Sequence, residues 1–380
     1  MYKSINKELI DQHNQSQKSN LDFDFEYLEQ KLKKSNIDIH AIKDQIKKFQ
    51  VAVPTWGVGT GGTRFARFPG IGEPQNIFDK IEDCAVINDL IGFTQKVSPH
   101  FPWDNVEDFK ELKEFADSYS IGFDVVNSNT FQDPADGSAS FKYGSLTNSS
   151  QEARDKAIEV NTQSIDNGKI LGSKGLTVWV GDGGNFPGQM SFSKSLERYI
   201  DSMKKIYSHL PNTNIEMVVS RLIDVNKLGG FHFNDSKFGD DDLDAGSINP
   251  YELFLIFNEL TSAAQKNKLS NIAYMIDQSH NVTDPIESLM LSANEIVNSY
   301  AKSLLVNYTQ LEEAQDQQDP IRAMQILKTA FSTDVNPIVA MARFENGNSI
   351  DPISIYRTLE YKKQKSKTRK SSKGSTSGIV

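Results

Sequence analysis

A histidine followed within a few residues by a run of aspartates is a combination that can grip a hard divalent cation. The stretch from Leu228 to Gly246, LGGFHFNDSKFGDDDLDAG, carries His232 and then Asp235, Asp240, Asp241, Asp242 and Asp244. His232 falls in a short apolar run read as a strand, and the aspartates fall in the turn and loop after it. Asp277 ends a second apolar run, IAYMID, with Gln278 and His280 beyond it. His232, Asp240, Asp242 and Asp277 make a set of one imidazole and three carboxylates. Such donors suit magnesium, manganese or cobalt better than a structural zinc, which favours thiolates. A cation held this way can polarise a carbonyl or a hydroxyl, a need shared by isomerases, aldolases and hydrolases. The plainer alternative is a solvated acidic loop behind a core histidine.

A second group of residues is aromatic. Trp56, Trp103 and Trp179 all stand at the ends of candidate strands, and His100 lies near Trp103. An indole is an apolar wall with one donor, which suits the C–H face of a sugar. Alternatively, each indole plugs one end of a core. Gly57, Gly59 and Gly62 satisfy the dinucleotide pattern G-x-G-x-x-G, but the context is wrong. Pro69, Gly70, Gly72 and Pro74 follow, and no helical period begins before Ile77. Glu82 and Asp83, at about the right distance for a ribose acid, sit inside the helical run IFDKIEDCAVINDLIGF. The glycine loop, with Arg64, Phe65, Arg67 and Phe68, reads better as a lid or an arm reaching a neighbouring subunit.

The elements that must position these residues alternate. Candidate strands at 51–56, 97–103, 121–127, 176–180, 228–233 and 272–277 are separated by helical periods at 77–93, 106–118, 151–170, 193–208, 250–265 and 284–305. Repeated βα units with elaborated loops after the strands predict an α/β fold, a parallel sheet closed as a TIM (β/α)8-type barrel, and a site at its C-terminal face. The rhythm breaks after Leu210 and Pro211. There a second helical pattern, capped by Asn212 or Thr213 and running through Ile215, Val218, Val219, Leu222 and Ile223, follows the first with no strand between. Six strands are counted where a closed barrel has eight. The expected organisation is a helical extension over 1–50, an incomplete barrel over 51–305 interrupted at 210/211, C-terminal helices over 306–360, and a disordered basic tail over 361–380. Within the first segment, residues 1–20 read as frayed or loosely helical. Phe25, Leu28 and Leu32, then Ile42, Ile46 and Phe49, mark two short helices.

The totals narrow the class. A chain of 380 residues holds one large barrel with extensions, and a net charge of -9 argues against nucleic acid as the main partner. One cysteine, Cys84, excludes an internal disulfide and a thiolate cluster, and suits a reducing cytoplasm. The polar N-terminus has no signal-peptide pattern, and no window has the apolar length of a membrane span.

The motifs WGVGTGGTRFARFPGIGEP, VSPHFPWD, DVVNSNTFQD, LTVWVGDGGNFPGQ, GGFHFNDSKFGDDDLDAG and MIDQSHNVTDPIES resemble the bacterial L-rhamnose isomerases of the broad-specificity type, across residues 40–360. The resemblance implies a xylose-isomerase-like barrel, a homotetramer, two manganese-type ions, and interconversion of an aldose and a ketose by a metal-assisted hydride shift between C1 and C2. It matches His232 and Asp277 to ligands of the structural metal, and Asp240 and Asp242 to ligands of the catalytic one. It matches His100 to the residue at the ring oxygen, Trp56, Trp103 and Trp179 to pocket walls, and Phe65 to the residue entering an adjacent subunit's pocket. Asp277 and His100 are thereby the catalytic candidates.

The departure from that family is equally specific. Its members carry two further βα units where Leu210-Pro211-Asn212 runs straight across, an absence on the order of fifty residues. The lost strands bear a Glu and an Asp that bind the structural metal, a His that binds the catalytic one, and a Lys in the pocket. The expectation for this chain is weak metal binding and little or no isomerase activity. Two other readings stand beside it: a non-catalytic remnant serving as an interaction or regulatory subunit, and a shortened sequence of an otherwise ordinary isomerase.

Overall fold

Four helices start on the same two-residue device, an Asx followed by proline. In a computed structural model, Asn249-Pro250, Asp284-Pro285, Asp319-Pro320 and Asp351-Pro352 open the helices Pro250–Gln265, Pro285–Ser303, Pro320–Phe331 and Pro352–Leu359. Each Asx side chain accepts a backbone N–H of the first turn, and each proline occupies a position whose own N–H would have had no partner. The structure describes residues 5–61, 66–181, 183–184, 186, 188–208, 228–237, 242–266, 268–269, 272–278 and 282–369.

In chain order the described strands are β1 (Val53–Pro54), β2 (Lys96–Ser98), β3 (His100–Phe101), β4 (Gly122–Phe123), β5 (Val126–Ser128), β6 (Leu176–Val178), β7 (Gly230–Phe233) and β8 (Ala273–Ile276). They occupy the six strand positions read from the sequence, because 97–103 and 121–127 are each interrupted once. Helices Ile77–Ile91, Phe109–Ser118, Gln151–Leu171, Phe192–Ser208, Pro250–Gln265 and Pro285–Ser303 alternate with them, so the fold is α/β. The helix expected from 212 lies outside the described residues.

Two compact units make up the chain: residues 97–216, and the remainder. In the larger unit, β7 and β8 pair in parallel from Gly230–Ala273 to Phe233–Ile276. Ala52 bridges Met275 in parallel on the other side of β8, with Ala52 N donating to Tyr274 O at 2.7 Å and Ile276 N to Ala52 O at 3.0 Å. Phe233, Phe257, Tyr274, Phe49 and Tyr300 stack beneath this ladder at centroid distances of 4.7–6.1 Å. In the smaller unit, β3, β5 and β6 form a parallel sheet in that order. Phe141, Leu146, Ile165, Met203 and Ile206 pack as a buried cluster among its helices.

Three expectations are corrected. The N-terminal region is one helix, Lys7–Lys33, instead of a frayed end and a short helix. It buries Ile10, Leu21, Phe25, Leu28 and Leu32 along one side, together with Asn14, which donates to Asn348 O at 2.8 Å and accepts from Ile350 N at 2.9 Å. The first strand is cut short at Pro54, so Trp56 lies in a 3-10 turn, Thr55–Val58. The tail expected to be disordered from residue 361 is ordered as far as Arg369: Tyr361–Lys365 is helical, and Arg369 is buried against acidic groups of the helix Ile77–Ile91. No described helix is long and apolar enough to cross a membrane.

Candidate functional site

His232 stands in the register of β7 opposite Met275. Alternation then puts Asp277, two residues on, on the same side as His232. Asp277 N donates to Phe233 O at 2.8 Å, which extends the ladder past the end of β8. The two side chains meet: His232 Nδ1 lies 3.4 Å from Asp277 Oδ2, with side-chain exposures of 28% and 13%. A half-buried imidazole beside a carboxylate can share a proton, or can offer one nitrogen and one oxygen to a cation.

The next residue faces the other way and is fully tied. Gln278, 2% exposed, donates through Nε2 to Ser288 Oγ at 2.6 Å and Asp244 Oδ1 at 3.1 Å, and accepts from Ser292 through Oε1. Ser288 also donates to Asp244 at 2.6 Å. Asp244 therefore anchors the acidic loop to the helix Pro285–Ser303. The base of that loop is closed by reciprocal bonds between Asp235 and Leu243, and Asp235 accepts from Ile248 N and Asn249 N at 2.8 and 2.9 Å. Asp242 accepts from Asn234 Nδ2 at 2.8 Å and has a left-handed backbone, φ 48°. Asp240, Asp241 and His280 lie outside the described residues.

Among the described residues, no group of three or more His, Cys, Asp or Glu is placed to hold a metal. His232 and Asp277 come together, and Asp242 does not complete a set with them. A divalent cation of the hard type takes about six oxygen or nitrogen donors, several of them supplied by water. The described side chains thus fit one edge of such a site and do not make a centre.

The smaller unit brings a different group together. His100, 2% exposed, stacks on Trp103 with ring centroids 3.8 Å apart and planes at 15°. Phe131 stands edge-on to both, at 6.0 and 6.1 Å, and to Trp179 at 6.0 Å. Asn127, in register with His100, donates to Pro99 O at 3.1 Å and accepts from Trp179 Nε1 at 3.4 Å. Asp104, buried, accepts from His100 N at 2.8 Å and so fixes the turn that carries Trp103. Phe131 and Asn127 were not singled out in the sequence. The only signal was their place just after and within the strand 121–127, in the motif DVVNSNTFQD. Trp56 belongs to the larger unit, and Phe65 lies outside the described residues.

No family model matches the chain. Two curated relatives do. The chain is 48% identical to a protein of Mesorhizobium japonicum named "probable sugar isomerase", over 426 aligned positions spanning 99% of each chain. It is 47% identical to a protein of Rhizobium meliloti with the same description, again over 426 positions and 99% of each. The chain belongs to this sugar isomerase family. It is an isomerase-type enzyme by descent. Since the chain has 380 residues, an alignment of 426 positions leaves at least 46 with no residue of this chain. Both chains are spanned almost end to end, so the shortfall is internal.

Among solved structures, an L-ribulose 3-epimerase superposes with a TM-score of 0.44 at 10% identity, covering 67% of this chain and 96% of that one. A D-psicose 3-epimerase from Clostridium cellulolyticum H10 gives 0.39 at 11% identity, covering 67% and 97%.

Proposed function

We propose that this chain is an L-rhamnose isomerase by lineage, an aldose–ketose isomerase of L-rhamnose and L-rhamnulose, with a reduced hold on its metal. The observation that carries the reading is the His232–Asp277 pair on adjacent parallel strands. An imidazole and a carboxylate at the same end of neighbouring strands are the donors this chemistry requires. A divalent ion of the manganese, magnesium or cobalt type held there would act as a Lewis acid on the substrate oxygens while the hydride passes from one carbon to its neighbour.

The chain's own residues do the remaining work. Trp103, Phe131 and Trp179, grouped around the buried ring of His100, offer an apolar wall to the C–H face of a sugar. His100 takes the position at the ring oxygen, where an imidazole can hold or give a proton during ring opening. Trp56 adds a further wall, and Phe65 reaches a neighbouring subunit of a homotetramer. His232 and Asp277 would hold the structural ion and Asp240 and Asp242 the catalytic one, Mn2+ being the first choice for each. In this reading the barrel spans 51–305 and is interrupted at 210/211, where the alternation of strand and helix breaks; the 46 or more unfilled positions support an internal loss of that size. With two βα units gone, a sheet of normal shear has only six strands, and the metal loses several ligands. The enzyme works in the cytoplasm.

The test is the metal content of the purified chain, together with rhamnose–rhamnulose interconversion. Expected are manganese well below one ion per chain and little or no turnover. Near-stoichiometric manganese with normal turnover of rhamnose sinks the proposal of weakened binding. The internal shortfall favours a second reading, a non-catalytic remnant that keeps its assembly surface. Sequencing the gene across the Leu210 and Pro211 codons separates that from a shortened sequence of an ordinary isomerase.

A further inference from the structure

Asp83 lies in the middle of the helix Ile77–Ile91 and is 0% exposed. An isolated buried carboxylate costs several kcal/mol, so its partners have to be found. They all come from the far end of the chain. Tyr361 OH donates to Oδ1 at 2.8 Å, Lys362 Nζ to Oδ2 at 2.7 Å, and Arg369 Nη1 to Oδ1 at 2.8 Å. Arg369 is 3% exposed at its side chain, and its second arm reaches Glu82 Oε2 at 3.0 Å and Asp79 O at 3.1 Å. Residues 361–369 are thus a strap held to one helix by a buried charge cluster.

The strap also touches the glycine loop. Arg369 Nη1 donates to Gly72 O at 3.1 Å. A Cβ on Gly72 would stand 2.2 Å from the Lys362 carbonyl oxygen, and Gly72 has φ +67°, so the loop approaches the strap as only glycine allows. From Gly72 the connection passes to Glu73, 5% exposed, which accepts from Gly70 N at 2.6 Å and from Thr60 Oγ1 at 3.1 Å. Phe68 N donates to Gly61 O at 2.9 Å. The two sides of the loop base are therefore joined to each other, and one of them is joined to the strap.

We infer that the C-terminal strap Tyr361–Arg369 is a latch that sets the conformation of the glycine-loop base, residues 66–76, with Arg369 as its positioning residue. Strap and loop order together, and each reports the release of the other. Nothing in this requires turnover or bound metal.

Hydrogen exchange on the full chain tests it, with the amides of the helix Pro285–Ser303 as the control for the fold. In Arg369→Ala, amides of residues 66–76 are expected to exchange about tenfold faster or more while the control helix keeps its protection. Arg369→Lys, which keeps the charge and loses the fork, recovers part of the protection. Gly72→Ala attacks the contact from the loop side and removes no charged group. It is expected to raise exchange in residues 361–369 as well as in the loop. The inference is overturned by loop protection that stays at the wild-type level in Arg369→Ala with the control helix intact. If Arg369→Ala loses protection everywhere, Gly72→Ala decides, and an unchanged strap in that variant overturns it equally.

Discussion

Two histidines, one in each unit, show how neighbours decide what an imidazole does. His100 is 2% exposed and lies flat on Trp103 inside a ring of aromatic side chains. His232 keeps 28% of its side chain open and looks at a carboxylate. The first environment rewards shape and dispersion, so the ring carries stability through its packing as well as any chemistry it does. The second contributes little packing and much chemistry, because a proton or a cation can be shared between the two groups. A single histidine in a sequence motif carries neither meaning until its neighbours are known.

The largest effect expected from breaking this contrast is at His100. His100→Ala removes a buried, stacked ring and should cost about 2–4 kcal/mol of stability, read as a lowered urea midpoint at unchanged slope. A loss below about 0.5 kcal/mol would put His100 in the same class as an open side chain. Next comes Gln278→Ala, on the face of its strand opposite Asp277. It strands Asp244 and Ser292 without their buried amide partner and should cost about 1–3 kcal/mol, measured the same way.

A pH experiment sharpens the contrast within the larger unit. Burial among aromatic rings pushes the Tyr274 phenol up from 10.0 to about 12, with Tyr300 adding to the shift. A phenol whose folded value is raised contributes stability that is complete below its unfolded value and lost as pH climbs towards the folded one. Stability should therefore fall between pH 10 and about 12, and Tyr274→Phe should remove part of that fall in an alkaline denaturation series. The smallest stability effect is expected at His232. His232→Ala should change stability by less than about 1 kcal/mol while abolishing what manganese binding the chain retains, followed by titration calorimetry. Unchanged manganese binding in that variant would remove the pair from the proposed site.

Much of the architecture was legible because it rests on short-range signals. The helix Pro250–Gln265 has the bounds expected of it, since Asn249, Pro250 and an apolar stripe all act within a few residues. The strand positions were legible for the same reason, though Pro54 and Pro99 trimmed them. The pairing of His232 with Asp277 needed only the assumption that neighbouring strands run parallel. What the sequence hid depends on partners hundreds of residues away. Asn14 looks like a helix-weakening polar residue until Asn348 and Ile350 accept and return its hydrogen bonds. The lysines and arginine after Tyr361 look like a solvated run until Asp83 is seen to be buried beneath them. Phe131 and Asn127 escaped notice because an aromatic ring in a polar loop has no periodicity to mark it.

The Asn14 side chain has a practical consequence for anyone trimming this protein. Its amide plugs a turn near the other terminus, so the two ends of the polypeptide are stitched into one patch. Shortening the front to begin after Asn14 would leave a hole beneath Ile350, and cutting the back before Asn348 would leave the first helix with a buried amide and nothing to hold it. Truncations at the two ends should therefore cost less together than the sum of each made alone.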